Sequence, residues 1–99
     1  MTMSVPLGMQ ELCQTVAIPA ALLIEIVEHG IIDPPGRGPD SWEFDQHALI
    51  TCRRAARLQR ELELEWSGIA LALQLLDDLE QVRRENRQLK SQLGRFLSE

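Results

Sequence analysis

The side chains of this chain that could carry out chemistry on their own are two cysteines, two histidines and scattered carboxylates. Cys13, Cys52, His29 and His47 could in principle hold a zinc ion, but their spacing follows no known ligand pattern. Serine, histidine and aspartate are too sparse for a catalytic triad, and no glycine-rich phosphate loop is present. The sequence therefore predicts a protein that is not an enzyme, with no catalytic residue, metal site or cofactor.

Charge is the feature that could recognise a partner. Residues 1–50 contain only one basic residue, Arg37, and their net charge is −6. Residues 51–99 hold nine basic and eight acidic residues. Because proteins bind nucleic acid by neutralising phosphates with Lys and Arg, this distribution disfavours nucleic acid and favours a basic protein partner. The seven carboxylates of the first half are Glu11, Glu25, Glu28, Asp33, Asp40, Glu43 and Asp45.

Two short helices separated by a tight turn are predicted to carry these acids. Apolar residues at helical spacing indicate a first helix over Met9–Thr15 and a second helix over Pro19–His29. Gly30 is the natural stop for the second helix, because glycine readily adopts the left-handed conformation found there. This arrangement is a helix-turn-helix.

A proline-rich hairpin, or wing, is predicted at about residues 31–44. Ile31-Ile32 and Trp42-Glu43-Phe44 read as its two strands, and residues 33–41 between them are rich in turn residues. Val5-Pro6-Leu7 reads as a possible edge strand, where a proline can be tolerated.

Two further helices are predicted after the wing. Asp45 is expected to cap the third helix, and an acidic corner of Glu61, Glu63 and Glu65 to end it. A fourth helix is predicted over Ile69–Leu76, with Ile69, Leu73 and Leu76 as its core stripe. The apolar arc of the third helix comprises Ala48, Leu49, Cys52, Ala55, Ala56 and Leu62. Its opposite face carries Arg53, Arg54, Arg57 and Arg60, which form either a solvated polar face or an electrostatic surface facing the acidic half of a partner subunit.

The last part of the chain has a heptad pattern, which predicts a C-terminal dimerisation helix over Asp77–Leu97. A single Asn at an a position, as found here, commonly specifies register and partner number. The flanking charges favour a parallel homodimer, and the orientation stays open. The heptad stripe comprises Leu75, Leu79, Val82, Asn86, Leu89, Leu93 and Phe96.

A chain of 99 residues with net charge −5 fits a mainly α protein that divides into residues 1–76 and a dimerisation helix at 77–99. No apolar run approaches the ~18 residues that a membrane span needs, and residues 1–10 do not show the pattern of a signal peptide. We therefore expect a cytoplasmic protein that makes no membrane contact.

The predicted order of helix-turn-helix, wing, two helices and long terminal helix resembles the MerR-type regulators. That resemblance implies a winged helix-turn-helix fold and makes a DNA-binding transcription regulator the alternative function. However, the second helix has no Arg or Lys with which to contact DNA.

A more specific resemblance extends over residues 10–97. The chain resembles the CbpM family of chaperone modulators in a set of spaced segments. These are Trp42-Glu43-Phe44-Asp45-Gln46-His47-Ala48, Ala56-Arg57-Leu58, Leu64-Glu65-Trp66, Gly68-Ile69-Ala70-Leu71-Ala72-Leu73, Asp77-Asp78 and Glu85-Asn86-Arg87.

This resemblance implies binding to the J-domain of a DnaJ-like co-chaperone of the CbpA type, and inhibition of its action with a DnaK-type chaperone. The J-domain presents a basic helix, so its inhibitor should offer acidic groups beside apolar ones. The predicted partner-binding residues are Glu25, Glu28, His29 and Asp33 around the end of the second helix, which we call the helix-two patch. The acidic corner is a second candidate surface.

Overall fold

The computed structural model describes residues 5–98, which form a mainly helical fold. A single turn of 3₁₀ helix spans Pro39–Ser41, and residues 29–45 otherwise connect the helices without regular structure. The α-helices are α1 (Met9–Val16), α2 (Ala20–Glu28), α3 (Gln46–Leu62) and α4 (Trp66–Leu97). The predicted fold class, a helix-turn-helix followed by further helices and a long C-terminal helix, is confirmed.

The first two helices form the predicted helix-turn-helix, with a bend of 107° between them. Ala17 takes a left-handed conformation at the end of α1, and Pro19 caps α2. Leu12, Leu23 and Ile26 are completely buried, so burial of these side chains fixes the angle between the helices. Within residues 5–98, no single helix is long and apolar enough to cross a membrane, and α1 and α2 pass that test only as a joined, bent pair.

Gly30 ends the second helix as predicted. Its φ is +72°, and its N–H donates to the carbonyl of Val27. The N–H of Ile31 donates to the carbonyl of Ile26. These two bonds form a Schellman motif, which satisfies carbonyls that would otherwise lack partners at the helix end and turns the chain toward α3.

The predicted wing hairpin is wrong in its detail, because the two segments proposed as its strands do not pair with each other. Phe44 instead pairs with Leu7 in an isolated antiparallel bridge, with both N···O distances at 2.8 Å. The loop is closed by one bond from the N–H of Glu43 to the carbonyl of Pro35, at 3.2 Å. The N–H and the carbonyl of Phe44 are both used by Leu7, so they are not available for pairing with Ile31 or Ile32.

Helix α3 begins at the predicted cap. The Asp45 carboxylate accepts a hydrogen bond from the N–H of Ala48 at 2.8 Å. The buried face of α3 consists of small side chains, which let α1 and α4 approach closely. Leu62 departs from the predicted apolar arc, since it is 56% exposed at the end of the helix, just before Glu63 takes a left-handed conformation. The buried residues of α3 are Ala48, Cys52, Ala55 and Ala56.

Helix α4 is one uninterrupted helix, so the prediction of separate helices over Ile69–Leu76 and Asp77–Leu97 is wrong. No Pro or Gly stands between residues 69 and 93 to break it. Leu76, predicted as a core residue, is 40% exposed, and the buried residues of α4 are Trp66, Ile69 and Leu73. The predicted boundary after residue 76 lies within this helix. The division into a domain over residues 1–76 and a dimerisation segment over residues 77–99 stays a prediction.

Cys52 is the most deeply buried titratable group of the core. Burial, with a smaller contribution from the nearby Cys13, raises the pKa of its thiol from 9.0 to about 11. Cys13 is half-buried, and both cysteines are free thiols. Cys52 therefore packs as a small buried hydrophobic residue.

Replacing Gly36 with Ala should destabilise the fold, whereas the same change at Gly38 should not. Gly36 has a φ of +122°, and a Cβ there would clash with the backbone carbonyl oxygen of Ser41. A Cβ at Gly38 meets nothing within 4 Å. We expect a loss of about 1–3 kcal/mol for Gly36→Ala in urea denaturation, as for other strained backbone positions. Equal stability of the two variants would contradict the assigned loop conformation.

The folded chain should lose stability as pH rises from about 9 to 11. The folded pKa of Cys52 is raised above its unfolded value. Its contribution to the free energy of unfolding is therefore fully present below about pH 9 and is lost as pH rises through the folded value of about 11. Urea denaturation at several pH values measures this slope. Cys52→Ala lowers stability at every pH but should remove most of the alkaline decline, and an unchanged slope would contradict the assignment.

Candidate protein-binding site

Glu25 is held in place by the only side-chain hydrogen bond between α2 and α4 in residues 5–98. Its carboxylate accepts a hydrogen bond from the indole Nε1 of Trp66, the first residue of α4. The Trp66 ring is almost fully buried, and a buried indole N–H requires an acceptor. Glu25 thus has a structural role that sequence reasoning missed, although its residue remains exposed on the surface.

The same contact brings the two predicted acidic surfaces together. Trp66 directly follows the acidic corner, so its bond to Glu25 places the start of α4 beside the helix-two patch. Within the corner, Glu61 pairs with Arg57 at 3.0 Å, while Glu65 precedes α4 without capping it through its side chain. The sequence treated these surfaces as alternatives, and the fold makes them neighbours.

A cleft of about 760 Å³ opens between the segment after α2, the start of α3 and one face of α4. We call it the acidic cleft, because four carboxylates line it and neither Lys nor Arg does. Ile31, Ile32, Pro34, Ala70, Leu71 and Leu73 supply apolar surface. The ionisable side chains in its lining are His29, Asp33, Glu43, Asp45, His47 and Asp77.

Two of the four carboxylates already have partners in the fold. Asp45 caps α3, and Asp77 lies 3.7 Å from the guanidinium of Arg54. Asp33 and Glu43 are exposed, and their side chains make no hydrogen bond or ion pair within residues 5–98. These two carboxylates are therefore available to a cation brought by a partner.

His29 is oriented by the end of α2. Its Nδ1 lies 2.8 Å from the carbonyl oxygen of Glu25, so a proton on Nδ1 completes this hydrogen bond and leaves Nε2 free. The ring thus extends the helix-two patch into the acidic cleft. Of the residues predicted for partner binding, His29 and Asp33 line the cleft, whereas Glu28 is exposed on α2 outside it.

Sequence reasoning did not assign Glu43, Asp45, His47 or Asp77 to the site. The first two had been counted in the acidic half, but only the fold places them across the cleft from Asp77 of α4. Within residues 5–98, no group of three or more His, Cys, Asp or Glu side chains has the arrangement to hold a metal ion. The site combines fixed negative charge with apolar surface, which suits recognition of a basic amphipathic helix.

Comparison with known proteins identifies the fold family and a set of relatives. The family model described as MerR HTH family regulatory protein matches residues 7–91. A chaperone modulatory protein CbpM from Pseudomonas entomophila (strain L48) is 54% identical over 95 residues, covering 96% of this chain and 94% of that protein. The protein of the same name from Pseudomonas putida (strain W619) is 55% identical over 95 residues.

A more distant relative has the same name. The chaperone modulatory protein CbpM from Escherichia coli O1:K1 / APEC is 43% identical over 88 residues, which cover 89% of this chain and 87% of that protein. The similarity therefore includes the helix-turn-helix, the acidic cleft and most of α4. The chain belongs to the CbpM family of chaperone modulatory proteins and has the MerR-type helix-turn-helix architecture.

Proposed function

We propose that this chain is a chaperone modulator that binds the J-domain of a DnaJ-like co-chaperone of the CbpA type. By occupying the basic helix of that domain, it prevents the co-chaperone from engaging its DnaK-type chaperone in the cytosol. The observation that supports this most directly is the acidic cleft, where four carboxylates, and neither Lys nor Arg, surround an apolar floor. The relatives' name, chaperone modulatory protein, agrees with such a role.

The charges of the site favour both the docking of a basic helix and its rate of association. Asp33 and Glu43 can meet Lys or Arg directly, and Ile31 and Leu71 can contact apolar side chains between those cations. Fixed carboxylates such as Asp45 add a field that steers a basic partner toward the cleft before contact. Glu25 and Glu28 extend this field along α2.

DNA binding, the activity that the resemblance to MerR-type regulators implies, is the competing proposal. The family match includes the helix-turn-helix, but α2 has no basic residue and ends beside the acidic cleft. A duplex approaching α2 would meet carboxylates instead of cations. Electrophoretic mobility shift of duplex DNA at physiological salt distinguishes the two proposals, because only a transcription regulator should form a complex.

Reversing two charges of the cleft should weaken binding to the purified CbpA-type J-domain. In Asp33→Lys/Glu43→Lys we expect at least about a tenfold lower affinity, mostly through slower association, because these exposed carboxylates steer the partner. Surface plasmon resonance measures both rates. Neither side chain has a partner within residues 5–98, so the fold should be retained.

The matched control is Asp40→Lys, compared with Asp33→Lys alone: the two variants change net charge equally, and Asp40 lies outside the cleft lining with no side-chain partner within residues 5–98. Glu28→Lys tests the α2 part of the patch. At position 25 the suitable variant is Glu25→Gln, which removes the charge but keeps an oxygen that can accept from Trp66. Equal association rates in the cleft variant and the control would reject the cleft as the docking site.

We also propose that the functional unit is a homodimer formed by α4. The helix has 32 residues, and none of the residues 74–98 is buried. The heptad stripe is left uncovered over this length; Leu89 is 64% and Phe96 is 77% exposed. A second copy offers the matching apolar stripe, and Asn86 near its middle can fix the register.

Charged substitutions in the stripe should separate the two copies. Leu89→Glu/Leu93→Glu places like charges in the interface, so analytical ultracentrifugation should show a monomer where the unmodified chain is a dimer. Arg84→Glu, on the outward face of the same helix, is the control and should leave the dimer intact. A dimer that persists in the double variant would show that another surface joins the copies.

A further inference from the structure

A second groove, of about 350 Å³, lies between the end of α1 and α3 and shares no lining residue with the acidic cleft. We call it the arginine groove. Its apolar surface comes from Val16, Ile18 and Ala56. The other lining residues are Arg53, Arg54, Arg57 and Arg60.

The cations of the arginine groove are only partly neutralised by the chain itself. Arg54 is 3.7 Å from Asp77, and Arg57 is 3.0 Å from Glu61. Arg53 and Arg60 are exposed and form no ion pair within residues 5–98. The groove therefore combines an apolar floor with at least two guanidinium groups able to bind carboxylates in a bidentate manner.

We propose that the arginine groove binds a short acidic peptide segment in which carboxylates flank an apolar side chain. Arg53 and Arg60 are seven residues apart on α3, or about 10 Å along the helix axis. An extended peptide of about three or four residues covers that distance. Its central apolar side chain contacts Val16 and Ile18, while carboxylates on either side reach the two arginines.

A nucleic acid fits the same groove poorly. The basic surface is short, and Glu61 and Asp77 hold negative charge beside Arg57 and Arg54. A phosphate backbone continuing beyond the groove would meet those acids, and its charged phosphates would leave the apolar floor unused. An acidic peptide can end within the groove. Its carboxylates can then face the arginines while its apolar side chain contacts the apolar floor.

This interaction goes beyond the proposed J-domain contact, because it uses a different surface and a partner of opposite charge. A chain with both sites can hold a basic helix in the acidic cleft and an acidic segment in the arginine groove at the same time. The failure of either proposal would leave the other intact.

Fluorescence anisotropy of the full chain with a labelled peptide of sequence Glu-Glu-Leu-Glu-Glu tests the proposal. Saturable binding should weaken at least about tenfold in Arg53→Glu/Arg60→Glu, because a lost ion pair is replaced by repulsion. The control is Arg84→Glu/Arg95→Glu, which has the same charge change on the outward face of α4 and should bind normally. Circular dichroism of both variants checks that the helices are retained.

Replacing the central Leu of the peptide with Ser tests the apolar floor. The Leu peptide should bind several-fold more tightly, whereas a surface acting through charge alone would bind the two peptides equally and overturn the proposal. Absence of saturable binding, or equal loss in both arginine variants, would also overturn it. If a short DNA duplex displaces the peptide and binds more tightly through the same arginines, the groove is a nucleic-acid site instead.

Discussion

The hydrogen bond from the Trp66 indole to the Glu25 carboxylate is the contact on which the functional geometry depends. Trp66 opens α4 and is buried with Ile69 and Leu73, so its ring must enter the core while its N–H finds an acceptor. Glu25 on α2 provides that acceptor. This hydrogen bond fixes the first turns of α4 against the helix-turn-helix, and α4 forms one wall of the acidic cleft.

Charge is segregated on the folded chain to a degree that the net charge of −5 does not reveal. Four carboxylates from three separate segments meet around the acidic cleft, while four arginines from two turns of α3 line the arginine groove. The ion pair between Arg54 and Asp77 lies where these two surfaces approach each other. The helix-turn-helix architecture is thus present, although its second helix lacks basic residues and ends beside the acidic cleft.

Helix α4 extends far beyond the small core of the single chain. Its buried residues all lie within the first eight positions of a helix about 48 Å long. The remaining turns contribute no burial to the single chain, so their apolar stripe stabilises nothing until it is covered. A chain of this size gains stability by sharing such a surface, which is consistent with the heptad pattern and its central Asn86.

Local signals in the sequence determined most of the helices. Asp45 and Gly30 marked the start of α3 and the end of α2, because capping involves residues that are neighbours in the chain. The heptad pattern likewise predicted the last turns of α4. The hairpin prediction failed because turn residues do not specify which strands pair, and Phe44 found its backbone partner at Leu7.

Only the tertiary structure decided how the site is assembled. The acids could be counted from the sequence, but no periodic pattern indicated that Asp33, Glu43 and Asp77 line one cleft or that Glu25 binds Trp66. Residues 25 and 66 are 41 positions apart, so their contact follows from core packing, which local sequence patterns do not specify. The sequence by itself determined the net negative charge of the helix-turn-helix half and the helical secondary structure. Long-range burial determined which charged side chains lie close together.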